Sequence, residues 1–168
     1  MSPAAFDADD AALLLRNLAA ARRVAVRLGE ARDALAPMVP LTPDRMTALG
    51  EQESLLVDAF LLRFGTPAAM VGEALTRGVL LASDESLLGT SNRDRRLRLE
   101  KLNVVRPGLD LGSVAEARNR LAHAYPDDPA RQARDLNEAH ALAADLLAAL
   151  DDIAAYAAAR LPPAAGTG

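Results

Sequence analysis

The sequence predicts an all-α protein: an up-and-down bundle of four main helices with additional short ones. Hydrophobic residues make up 51% of the chain but aromatic ones only 3%, so the core must come from Leu, Ala and Val. Ala and Leu are strong helix formers. Apolar residues also recur at three- and four-residue spacing over long stretches, and Pro- or Gly-containing segments separate those stretches. No stretch requires a strand.

The elements follow in order. Asp7, Asp9 and Asp10 make an acidic first turn, which a helix N-terminus favours. Leu13, Leu14, Leu18, Ala21, Val24, Ala25 and Leu28 continue it, predicting a helix from about Asp7 to Ala36. Pro37, Pro40 and Pro43 then make a loop. Thr42-Pro43-Asp44 reads as an N-cap with Pro at the first helical position, opening a second helix to Phe64, where Gly65 stops it. Thr66-Pro67 repeats the start signal for a third helix to Leu81. Ser91 caps a short basic helix reaching Leu102. Ser113 and Glu116 have capping-box spacing and open the helix that carries Arg118. That helix ends near Tyr125, because Pro126 lacks a donor and restricts the residue before it. A last helix follows from Asp127 to about Ala159, with Leu136, Ala139, Leu142, Ala143, Leu146, Leu150, Ile153 and Ala157 as its apolar stripe. Residues 1–161 read as one domain and 162–168 as a disordered tail.

Composition narrows the chemistry. There is no Cys and there are only two His, so thiolate sites are excluded and a His-rich metal site is not expected. No cofactor motif is visible. The N-terminus has no basic region followed by an apolar stretch, and no uncharged apolar run reaches bilayer length. The expectation is a soluble cytoplasmic protein without a membrane segment. The net charge of −4 argues against a generally nucleic-acid-coated surface. Locally the sign reverses: between Ser91 and Arg106 six cations stand against two carboxylates. Arg93, Arg95 and Arg96 are the candidate RNA contacts there, either as a phosphate-steering patch or as a solvated face with internal ion pairs.

The most informative stretch is Ala117-Arg118-Asn119-Arg120-Leu121-Ala122-His123-Ala124-Tyr125-Pro126. It places a permanent cation, an amide, a rare imidazole and a rare phenol within eight positions. Arg binds phosphate in a planar fork, and His moves protons near neutral pH. Arg118 and His123 are five residues apart, which on a continuous helix leaves about 140° between their directions. Either the helix ends before His123, or two copies of the motif meet across a symmetric dimer.

This stretch resembles the signature of the HEPN superfamily of helical ribonucleases and toxins, and in detail the HepT-like toxins of MntA/HepT (type VII) toxin–antitoxin pairs. The order of helices is similar across nearly the whole chain, and Asp58-Ala59-Phe60-Leu61-Leu62-Arg63-Phe64 resembles that group's second helix. The following stretch, 66–72, departs from the family's polar pattern, which leaves Asp58 as the one candidate acidic helper, beside its plainer reading as an exposed helix acid. The resemblance implies a metal-independent endoribonuclease acting on tRNA or mRNA, with Arg118, Asn119 and His123 as catalytic residues. It implies a homodimer with paired motifs lining one groove. It also implies a MntA-like nucleotidyltransferase antitoxin that transfers AMP to Tyr125. Two other readings share these residues: a non-catalytic substrate-binding subunit of a minimal nucleotidyltransferase, and a plain dimerisation module. His140 has no companion at metal or triad spacing and reads as structural.

Overall fold

The computed structural model describes residues 8–83, 85–122 and 127–161. His123, Tyr125 and Pro126 lie outside the described residues, as does the stretch 162–168 expected to form a tail. The described residues form six helices and no strand. Helix α1 is Ala8–Leu35, followed by a 3-10 turn at Ala36–Met38. Helix α2 is the short Pro43–Thr47, α3 the long Glu51–Ala82, α4 Asn92–Lys101, α5 Leu111–Leu121 and α6 Pro129–Arg160.

Local chemistry sets most helix starts. The Thr42 hydroxyl accepts from the backbone N–H of Arg45, with Pro43 at the first helical position. At α4, Ser91 and Asp94 form a reciprocal capping box. Asp128 caps α6 through the Arg131 N–H, again with Pro following.

The middle of the chain departs from the sequence reading in three ways. The helix expected from Pro43 to Phe64 is broken at 48–50, where Gly50 caps a new start and its N–H donates to the Glu53 carboxylate. Gly65 does not stop the chain, and Pro67 lies inside α3. Pro67 and its neighbours Phe64 and Ala68 are buried, so packing outweighs the local break signal. Beyond it the helix widens into a π-turn over Val71–Leu75. The buried Thr76 hydroxyl donates to the Val71 carbonyl at 2.5 Å, giving an acceptor inside the widened turn a partner. Third, α5 is capped by Asp110, whose carboxylate accepts from the Ser113 N–H at 2.8 Å. Ser113 therefore stands inside the helix that it was expected to cap.

The core runs between α1, α3 and α6. Leu14, Leu28, Leu35, Phe60, Phe64, Leu75, Val79, Leu146 and Ile153 are all fully buried. Gly78 brings α3 against α1: a Cβ there would meet the Leu14 side chain at 3.0 Å. The α6 stripe is buried as expected, except that Leu142 is only partly covered. On α1, Leu13 faces outward. By length and composition α3, continuous through Gly65, reaches the range of a membrane span, with a mean hydropathy of 1.4 in its most apolar stretch and 33% of that stretch buried inside the fold. In the sequence this length is hidden, because Gly65 and Thr66-Pro67 read as a stop and a new start.

Candidate functional site

The site is built on α5, wedged between α3, α4 and α6. Val114 and Ala117 on one side of α5 are buried, which turns Arg118 and Asn119 outward. Both are exposed, and Arg118 Nη1 donates to Asn119 Oδ1 at 3.1 Å. Among the described residues no carboxylate forms an ion pair with Arg118. A guanidinium carries five donors, so one bond to a neighbouring amide leaves most of the fork free to engage an anion.

Arg118 borders two clefts. One, of about 260 Å³, lies between α3, α4 and α5 and is rimmed by Glu73, Asn92, Arg96, Glu116, Arg118 and Asn119. The other is a wider, mainly apolar groove of about 660 Å³ between α3 and α5, floored by Leu61, Gly65, Ala69 and Met70, with Leu62 74% exposed at its edge.

The three basic residues expected to meet RNA part company. Arg96 shares the smaller cleft with Arg118. Arg95 turns to the opposite side of α4, where its Nε donates to Thr90 Oγ1 at 3.0 Å. Arg93 is exposed and lines neither. Two other cations of the basic segment are ion-paired within the fold. Arg98 pairs with Glu85 at 2.7 Å and holds that carboxyl below its ordinary range, while Arg106 grips Asp152. The local excess of positive charge is thus partly an ion-paired face and partly, at Arg96, a neighbour of the motif.

Helix α5 ends at Leu121, with Ala122 as its C-cap. The structure brings Arg118, Asn119 and Arg96 together; where His123 and Tyr125 stand relative to them falls outside the described residues.

A second polar cluster escaped the sequence reading. Asp135 on α6 is buried, and its carboxylate is approached by Arg120 at 3.6 Å, Arg131 at 3.6 Å and Arg134 at 3.3 Å. Arg120 also reaches Glu138 at 2.6 Å. Arg120, Arg131 and Asp135 adjoin a cavity of about 190 Å³ that Asp58, Val57 and Leu61 close from α3. Asp58 is exposed and stands on the Arg120 side of α5, in a different hollow from Arg118. Arg120 and Asp135 are far apart in sequence and carry no motif, so only the fold could reveal the pair.

His140 and Tyr156 have packing partners. His140 Nε2 is 3.0 Å from the Arg32 carbonyl, with its ring 5.8 Å from that of Phe60. The Tyr156 hydroxyl hydrogen-bonds Ser83 Oγ at 2.9 Å, and the Arg160 guanidinium stacks on its ring. Among the described residues no group of three His, Asp or Glu side chains could hold a metal ion. The chain matches no protein-family model, no curated protein and no solved structure.

Proposed function

We propose that this chain is a HepT-like toxin: a metal-independent endoribonuclease held in check by AMPylation of Tyr125 by a MntA-like nucleotidyltransferase antitoxin. The observation that carries the reading is Arg118, an exposed guanidinium without a carboxylate partner among the described residues, beside Asn119 and across a cleft from Arg96. Nearby, two cations of the basic segment, Arg98 and Arg106, are held in ion pairs, whereas Arg96 shares the cleft. An arginine left open beside a second cation is suited to a phosphodiester.

In the proposed reaction the RNA 2′-hydroxyl attacks its own adjacent phosphorus. Arg118 stabilises charge on the phosphoryl oxygens. Asn119 orients Arg118 through their hydrogen bond. His123, following the resemblance, moves the proton as general base or acid. The bond from phosphorus to the 5′-oxygen breaks, leaving a 2′,3′-cyclic phosphate on one product and a 5′-hydroxyl on the other. DNA lacks the attacking group.

The apolar groove beside Arg118 supports the dimer that the resemblance implies. Leu61, Leu62 and Met70 offer a second copy an apolar seat next to the motif helix. The reading is tested by incubating the purified chain with tRNA and mRNA in EDTA. Cleavage with cyclic-phosphate ends is expected; intact RNA, or cleavage that chelation abolishes reversibly, overturns it.

A further inference from the structure

The smaller cleft beside Arg118 has a construction that the proposed phosphate chemistry does not use. Its floor is Ala68, Ala69, Gly72 and Ala115, so nothing larger than a methyl group rises from it. A Cβ placed on Gly72 would meet nothing within 4 Å. Its rim is entirely polar: Glu73 from the π-turn of α3, Asn92 and Arg96 from α4, and Glu116, Arg118 and Asn119 from α5. Two carboxylates, two guanidiniums and two amides thus surround about 260 Å³ of open space.

Opposite charges this near usually close on one another. Here, among the described residues, Glu73 forms no ion pair with Arg96 or Arg118, and Glu116 reaches outward to Arg120 at 4.0 Å. The charges border a gap instead of filling it. A lining of small apolar residues beside mixed charge leaves room for a heterocycle that carries donors on one edge and a phosphate beside it. The phosphate side is set by Arg96 and Arg118. The base side is set by Glu73, whose carboxylate offers two acceptor oxygens.

We infer that this cleft seats the nucleoside next to the scissile phosphate and that Glu73 selects guanine there. Guanine is the common RNA base whose pairing edge offers two adjacent N–H donors, a match for both oxygens of one carboxylate. Adenine and cytosine present one amino hydrogen on that edge and uracil one ring N–H, so each leaves a carboxylate oxygen unmet or opposes it with an acceptor lone pair. Arg96 and Arg118 hold the phosphate whatever the base, so specificity and affinity rest on different residues. This inference rests on the ribonuclease reading for its substrate class.

The test is equilibrium binding of the four nucleoside 3′-monophosphates to the wild-type chain, with RNA cleavage measured separately. Guanosine 3′-monophosphate is expected to bind about tenfold more tightly than the other three, the scale of one bidentate base contact. Glu73→Gln, a nearly isosteric change at an exposed position, should equalise the four. Arg96→Ala should weaken all four alike. Equal binding of the four nucleotides by wild type, no binding of any, or a guanine preference that survives in Glu73→Gln overturns the inference. Cleavage of RNA without base preference removes the guanine site and leaves the catalytic reading standing. A guanine preference in a chain that cuts no RNA does the reverse.

Discussion

Arg120 at the end of α5 reaches the buried carboxylate of Asp135 on α6 at 3.6 Å, closing the base of the α5–α6 hairpin whose connecting segment contains His123 and Tyr125. Removing the Asp135 charge takes from Arg120 and the half-buried Arg131 the acceptor they share, while Arg120 keeps Glu138. Asp135→Ala should therefore destabilise the protein by about 2 kcal/mol, below the full cost of breaking a buried pair because the arginines are partly solvated. Urea denaturation measures it. With only two histidines in the chain, the NMR signal of His123 should also shift while that of His140 stays. An unchanged His123 signal would show that the clamp does not reach the motif.

Arg118→Ala and His123→Ala should each abolish RNA cleavage. Arg118 is exposed and its one hydrogen bond is to its neighbour, so stability should change by less than about 1 kcal/mol. Asp58→Asn should cut activity much less, because Asp58 borders the Arg120 hollow and not the Arg118 cleft. Rates on a defined RNA, with melting curves alongside, check all three.

With ATP, magnesium and a MntA-like partner, intact mass should rise by one adenylate at Tyr125. Tyr156 should stay unmodified, since its hydroxyl is engaged with Ser83 and its ring is covered by Arg160. Tyr125→Phe should keep nuclease activity and escape the partner. Peptide mapping that places AMP on Tyr156, or undiminished labelling of Tyr125→Phe, would remove this part of the proposal.

A dimer through the apolar groove should be sensitive to Leu62, which is 74% exposed in the single chain. Leu62→Glu puts a charge into that seat and should yield monomers by light scattering at micromolar concentration. If wild type is itself monomeric there, the groove is not a dimer seat.

Acid stability follows from two capped carboxyls. The Arg106 side-chain hydrogen bond holds Asp152 below its ordinary value, and the Ser113 backbone N–H does the same for Asp110. Each folded carboxyl binds its proton less readily than in the unfolded chain. Their stabilisation is present in full above about pH 3.9 and is lost as the pH falls through the lower folded values. Asp152→Asn should flatten the loss of stability below about pH 4, while costing less than about 1 kcal/mol at neutral pH because Arg106 is largely solvated. Thermal melts across that range read both effects.

Local signals were legible where a side chain acts on its own backbone. Thr42 and Ser91 each need only neighbours within three residues, and each opens a helix as expected; the last helix, expected from Asp127, starts at Pro129 behind its Asp128 cap. Gly65 and Thr66-Pro67 carried the opposite local message, and burial of Phe64, Pro67 and Ala68 overrode it. Ser113 lost its cap because Asp110, three residues earlier, supplied a carboxylate first. The Arg118–Asn119 pair could be read from adjacency. Glu73 could not: its place on the same cleft as Arg96 depends on a turn of irregular pitch and on α4 folding back, neither of which leaves a mark in spacing.

The π-turn at Val71–Leu75 absorbs one surplus residue without breaking α3, so the two halves of the helix keep their core faces, Phe60 and Phe64 before it and Leu75 and Val79 after it. Chain length and packing are therefore uncoupled at this one seam. Deleting a single residue there would convert the turn to regular helix, leave both halves seated, and move Glu73 off the rim. A one-residue deletion elsewhere in α3 would rotate half of its buried face by about 100° into solvent. The bulge lets one wall of the cleft be rewritten while the scaffold behind it stays as it is.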